Sequence, residues 1–173
     1  MEKRNVKILI VDDHPIVRDG IKTMLEMGDF DCCNFNILEA GNAEETMAML
    51  KNNAFDLVIM DYQLEETDGS SLTKKVLEAY PEQHVLALSN YDDIEFASNM
   101  LKAGARGYMM KNVGTAELIK AITTVLEGKL YYAQHLANEL IEKKILGKGS
   151  FDVATDNPAV SRLSKREIEI IQF

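Results

Sequence analysis

Asp56-Leu57-Val58-Ile59-Met60-Asp61 is the stretch whose reading decides the fold. Four apolar residues run without alternation and end on a carboxylate. A strand that is apolar on both faces belongs in the middle of a sheet covered by helices on each side. Its terminal carboxylate then lies where the strand leaves the core, and in open α/β sheets that edge is where ligands bind. Asp61 is therefore the candidate chemical centre.

Similar runs recur on both sides of it. Val6–Val11, interrupted only by Lys7, reads as a first strand and ends in Asp12-Asp13-His14-Pro15. Proline suits a first helical turn, with Asp13 or His14 as the cap. Phe35–Ala40 is a weaker second strand and Leu57–Asp61 the third. Val85–Leu88, ending at Ser89, is the fourth, and Gly107–Met110, ending at Lys111, the fifth. Helical spacing lies between them: Val17, Ile21, Met24 and Leu25; Met47 and Leu50; Leu72, Val76 and Leu77; Phe96, Met100 and Leu101; Leu118, Ile119 and Ile122 with Val125 or Leu126. Asn42, Asp92 or Asp93, and Thr115 read as helix starts; Gly28, Pro81, Gly104 and Gly128 read as stops. Five strands alternating with five helices predict an α/β domain over residues 1–128. Its sheet is parallel, with helices on both faces joined by right-handed crossovers.

The tail has a different character. Residues 129–162 read as a linker containing one amphipathic helix, Gln134–Lys144, with Leu136, Leu140 and Ile141 on one side. In Leu163-Ser164-Lys165-Arg166-Glu167-Ile168, Ser164 and Glu167 have capping-box spacing and Leu163 with Ile168 that of a hydrophobic staple. A helix starts there, so residues 163–173 are expected to be the opening of a further domain that the chain leaves incomplete.

The 173 residues carry a formal net charge of −9 and are 46% hydrophobic. That supports a sizeable core and argues against gripping a phosphate backbone through bulk charge. Adjacent Cys32 and Cys33 make neither a disulfide framework nor zinc-ligand spacing. No signal peptide is legible, and no apolar run approaches the roughly 20 residues of a membrane span. The expectation is a cytoplasmic protein without membrane contact.

In a parallel sheet the C-terminal strand ends share one edge, and here they bring Asp12, Asp13, Asp61, Ser89 and Lys111 together. Three carboxylates repel unless a cation joins them, and Mg²⁺ suits an oxygen donor set that leaves room for phosphate oxygens. A carboxylate in such a site can act as a nucleophile toward a phosphoryl group. Lys111 would offset the charge on that group, and Ser89 could donate a hydrogen bond to it. The chemistry this suggests is phosphoryl transfer onto Asp61.

Val11-Asp12-Asp13, Met60-Asp61, Ser89 and Gly107-Tyr108-Met109-Met110-Lys111, in that order at the strand ends, resemble the receiver domain of two-component response regulators. The resemblance covers roughly residues 4–128. It implies the flavodoxin-like strand order 2-1-3-4-5. It also implies Asp61 as phosphoacceptor, Asp12 and Asp13 as the acid pair holding Mg²⁺, and Gln63 giving its backbone carbonyl to the metal. Ser89 would be the switch hydroxyl, Tyr108 the switch aromatic that follows it inward, and Lys111 the phosphoryl-binding lysine. Asn112 stands where many receivers have proline, which sets the family's cis peptide there against a cost of about 2.5–4 kcal/mol. His14 is read as having a local role at the helix start. Leu163-Ser164-Lys165-Arg166-Glu167 looks like the opening of the LuxR/NarL-type helix-turn-helix output domain. The resemblance implies a sensor histidine kinase or a small phosphodonor such as acetyl phosphate as partner. It further implies homodimerisation on activation, and DNA binding through the full output domain rather than through these 173 residues. Two other readings stay open. One is a receiver used only as a protein-interaction module. The other is a Mg²⁺-dependent phosphatase of the haloacid-dehalogenase type, which needs a second acid where Gln63 stands.

Overall fold

The computed structural model describes residues 2–132 and 134–145. Its strands are β1 (Arg4–Val11), β2 (Cys33–Ala40), β3 (Leu57–Asp61), β4 (Val85–Ser89), β5 (Gly107–Met110) and β6 (Tyr131–Tyr132). Its helices are α1 (Pro15–Met27), α2 (Ala43–Asn52), α3 (Gly69–Ala79), α4 (Ile94–Ala103), α5 (Thr115–Leu126) and α6 (Gln134–Ile145). Every strand pair is parallel, in the order β2-β1-β3-β4-β5-β6.

The flavodoxin-like order holds, but the sheet has six strands where the sequence pattern predicts five. Tyr131 and Tyr132 pair with Gly107 and Tyr108, and the Tyr131 N–H donates to the Arg106 carbonyl at 2.8 Å. A two-residue strand is too short to carry a periodic signal. The core follows the sheet outward: Tyr132, Leu136 and Ala137 are buried in the same cluster as Tyr108. Sheet and core therefore run past residue 128, and the first turns of α6 belong to them. The Leu140 side chain and the segment from Leu163 to Phe173 lie outside the described residues.

All five residues of β3 are buried. Leu57 and Ile59 join Ile8, Ile10, Leu86 and Leu88 beneath α1 and α5, while Val58 and Met60 join Leu9, Val11, Val85 and Ala87 beneath α2, α3, α4 and α6. Each such side chain contributes about 1.5–3 kcal/mol when buried. That anchorage is what lets the strand carry an ionisable group at its buried end.

Helix starts mostly follow the expected chemistry. Asn42, Asp68 and Asp93 accept backbone N–H groups from the first turns of α2, α3 and α4, and Gly104 ends α4 at a left-handed φ of 107°. Two caps differ. His14 occupies the cap of α1 without a capping side-chain bond, because its ring faces the carboxylates of Asp12 and Asp13. Gly114, not Thr115, caps α5; the extended backbone at Gly114 makes Thr115 the first helical residue. Among the described residues every peptide bond is trans, Lys111–Asn112 included. None of the described helices is long and apolar enough to cross a membrane.

Candidate functional site

The carboxyl edge of β1, β3, β4 and β5 assembles the predicted residues. Asp12 and Asp61 are 2% and 3% exposed, and Lys111 reaches both from the end of β5. Its Nζ lies 2.8 Å from Asp12 Oδ2 and 3.0 Å from Asp61 Oδ1. Asp61 Oδ1 also accepts the Gln63 N–H at 3.3 Å. Burial, and next the charge on Asp12, push the Asp61 carboxyl up to about 6; the Lys111 ammonium pulls the other way. Lys111 is shifted too. Burial works against its charge, but hydrogen bonds to Asp12 and Asp61 hold its pKa above the usual lysine value.

One ammonium does not satisfy the cluster. Asp61 Oδ2 and Asp13 Oδ1 are buried without a hydrogen-bond partner among the described residues. Asp13 Oδ1 lies 2.8 Å from His14 Nδ1 but outside hydrogen-bond alignment. Ligand atoms from Asp12, Asp13, His14 and Asp61 all lie within 4.8 Å of one another. Buried carboxylate oxygens are costly unless paired or bound to a metal. The donor set is oxygen-rich, its orphaned atoms face inward, and it fits a hard divalent cation such as Mg²⁺. The imidazole of His14 in that shell is a feature the sequence reading assigned only a local role.

Behind the cluster sit the hydroxyl and the aromatic ring. Ser89 is 1% exposed and its Oγ accepts the Tyr91 N–H at 3.0 Å. Tyr108 is fully buried, and its hydroxyl donates to the Tyr91 carbonyl at 2.6 Å. Burial pushes the Tyr108 phenol up to about 12, with the adjacent Ser89 hydroxyl acting in the opposite direction. An inward swing of Tyr108 was expected to follow phosphorylation. In the structure the ring is already inside, because Tyr132 stacks parallel to it at 6.5 Å and Tyr91 supplies its acceptor. Tyr132 in turn donates to the Ala105 carbonyl at 3.2 Å. On the α4 side, Tyr62 stacks on Phe96 at 4.3 Å, and Phe96 meets Tyr91 edge-on at 5.7 Å.

Sequence reasoning also missed Gly69. Its N–H donates to the Tyr62 carbonyl at 2.5 Å, and a Cβ there would fall 2.2 Å from the Asp61 carbonyl oxygen. The first turn of α3 is thus pressed onto the backbone of the strand end, an approach only glycine permits. A glycine after an Asp cap carries no such message in the sequence by itself.

Comparison with known proteins agrees with this fold. The sequence matches the response regulator receiver domain family over residues 8–123. It is 34% identical over 165 residues to the response regulator GacA of Pseudomonas syringae pv. syringae, covering 95% of this chain and 73% of that protein. It is 34% identical over 168 residues to the oxygen regulatory protein NreC of Staphylococcus haemolyticus, covering 96% of this chain and 75% of that one. Both alignments extend beyond the receiver match. A two-component response regulator of the LuxR family from Aurantimonas sp. SI85-9A1 superposes with a TM-score of 0.71 at 29% identity, over 82% of this chain and 99% of that structure. With that match spanning most of the described domain and relatives 34% identical along nearly the whole chain, this chain belongs to the response regulator receiver domain family.

Proposed function

We propose that the chain is a signalling switch written on at Asp61. A carboxylate oxygen of Asp61 attacks the phosphorus of a donor, either the phosphohistidine of a sensor kinase or a small phosphodonor such as acetyl phosphate. The bond from phosphorus to the donor's leaving group breaks, the leaving group takes the electron pair, and an aspartyl phosphate results. The observation that carries this reading is Asp61 Oδ2: 3% exposure for its residue, no hydrogen-bond partner among the described residues, and an ammonium 3.0 Å from its sister oxygen.

Asp12, Asp13, Asp61 and the Gln63 carbonyl would hold Mg²⁺, which when bound neutralises charge on the transferred group. Lys111 is held between Asp12 and Asp61, close enough to meet a phosphoryl oxygen without leaving its seat. Ser89 turns its hydroxyl hydrogen toward the same group. A charge-assisted hydrogen bond contributes about 1.5–3 kcal/mol, so contacts at Ser89 and Lys111 together supply about 3–6 kcal/mol. That is the scale needed to move a two-state equilibrium from mostly off to mostly on, about 5.5 kcal/mol. The Ser89–Tyr91–Tyr108 hydrogen bonds and the Tyr108–Tyr132 stack give the change a route to α6.

The switch acts in the cytoplasm on a helix-turn-helix output that binds DNA, with homodimerisation on activation. Acetyl phosphate and Mg²⁺ are expected to add one phosphoryl group to the wild type and none to Asp61→Asn. Sustained turnover of a generic phosphate ester would favour a phosphatase instead. Unchanged oligomeric state and unchanged DNA affinity on phosphorylation, in a form carrying the whole output domain, would favour a pure interaction module.

A further inference from the structure

Arg18 lies on the first turns of α1, outside the acid cluster, yet its side chain is spent on the backbone that carries the cluster. Its Nη1 donates to the main-chain carbonyl of Asp12, and its Nε donates to Glu39 Oε1 on β2 at 3.1 Å. The Asp12 N–H is held by the Ala40 carbonyl of β2 at 3.2 Å. Glu39 is steadied through its other oxygen by Lys22 at 3.8 Å. The Arg18 main-chain N–H bonds the His14 carbonyl at 3.2 Å, so the loop from Asp12 to α1 closes on itself through this residue. Gly41 faces the guanidinium, where a Cβ would stand 3.3 Å from Nη1.

Magnitudes decide what this arrangement is for. Arg18 and Glu39 side chains are 18% and 28% exposed, and ion pairs open to solvent contribute about 0–1 kcal/mol to stability. The larger consequence is geometric. Both polar groups of the Asp12 main chain are fixed, one by β2 and one by α1, which sets where the Asp12 and Asp13 carboxylates point. Residues that orient metal ligands from behind typically change metal affinity by about 10–100-fold when removed.

We propose that Arg18, gripped by Glu39, is the positioning residue of the acid pair and sets its affinity for the divalent cation. The inference rests on the reading of Asp12, Asp13 and Asp61 as the cation site of a phosphoacceptor. Arg18 bonds the Asp12 main chain and Glu39 rather than the clustered carboxylate oxygens, so its loss acts on cation affinity and not on transfer once the site is filled.

The test uses Arg18→Gln, Arg18→Lys, Glu39→Gln and Gly41→Ala in the 173-residue protein. Mn²⁺ binding is followed by loss of the free-ion electron paramagnetic resonance signal. Labelling by acetyl phosphate is measured across Mg²⁺ concentrations, and urea midpoints are taken in EDTA. Arg18→Gln is expected to bind Mn²⁺ about tenfold more weakly and to need about tenfold more Mg²⁺ for half-maximal labelling, with the saturated labelling rate within about twofold of wild type. Arg18→Lys, which can satisfy one partner but not both, falls between. Gly41→Ala, which crowds the guanidinium, shifts affinity in the same direction by less. Arg18→Gln combined with Glu39→Gln is no weaker than Arg18→Gln alone. Wild-type Mn²⁺ affinity in Arg18→Gln overturns the proposal. So does labelling that stays low at saturating Mg²⁺, or an affinity loss that merely follows a lower urea midpoint. Failure of the wild type to bind Mn²⁺ or to accept a phosphoryl group overturns the underlying reading of the site, and the proposal with it.

Discussion

Replacing Asp61 by asparagine should stabilise the metal-free protein, although it removes a salt bridge. Asp61 is pushed from 3.8 to about 6, first by burial and then by Asp12. A carboxyl whose folded pKa lies above its unfolded value binds its proton more tightly when folded. Its ionisation therefore costs stability above the folded pKa, and the cost disappears as pH falls toward the unfolded one. About two pKa units at about 1.4 kcal/mol each give roughly 3 kcal/mol at pH 8. The same linkage leaves about half of that at pH 5 and under about 1 kcal/mol at pH 4. Asparagine keeps a carbonyl oxygen for Lys111 Nζ and the Gln63 N–H, so most of the geometry survives. Urea unfolding in EDTA reads the effect directly, and at about 1–3 kcal/mol per molar of urea the midpoint should rise by about 1 M or more at pH 8. A variant no more stable than wild type at pH 8, or a gain that does not shrink with pH, would refute the account of a strained carboxylate cluster.

Lys111→Ala should act in the opposite sense. It leaves Asp12 and Asp61 buried without their cation, and a loss of about 3–5 kcal/mol in thermal or urea unfolding is expected. Mg²⁺ at ten times its dissociation constant should stabilise the wild type by about 1.4 kcal/mol, and this increment should vanish in Asp12→Asn or Asp13→Asn when melting is compared with and without EDTA. Tyr132→Phe loses one buried hydrogen bond to the Ala105 carbonyl and should cost about 1 kcal/mol, whereas Tyr132→Ala opens the core beside Tyr108 and should cost about 3–5 kcal/mol in the same assay. Gly69→Ala puts a methyl group against the Asp61 carbonyl, and both urea midpoint and phosphoryl labelling should fall.

How far a sequence can be read depends on the length scale of each feature. Four of the five expected strands are apolar runs, Val6–Val11 broken only by Lys7, between helices of clear 3.6 period, and their order along the chain already places Asp12, Asp61, Ser89 and Lys111 on one edge. The residues that the structure adds act through backbone contacts or short segments. β6 has only Tyr131 and Tyr132 and exists because the edge of β5 offers it partners. Gly69 matters for a Cα that approaches Asp61, and Arg18 for a bond to a main-chain oxygen, neither of which leaves a periodic trace. Tyr108 was read as a ring that moves inward. It is fully buried and stacked against Tyr132, from a segment that composition alone marks as a linker.

The proposed switch stands or falls on phosphorylation at Asp61. The most direct measurement is to treat the protein with acetyl phosphate and Mg²⁺, trap the acyl phosphate by borohydride reduction, and locate the reduced residue by peptide mass spectrometry. A single reduced position is expected at residue 61, absent when Mg²⁺ is chelated and absent in Asp61→Asn. Reduction at another carboxylate, or equal labelling of the Asp61→Asn variant, would contradict it.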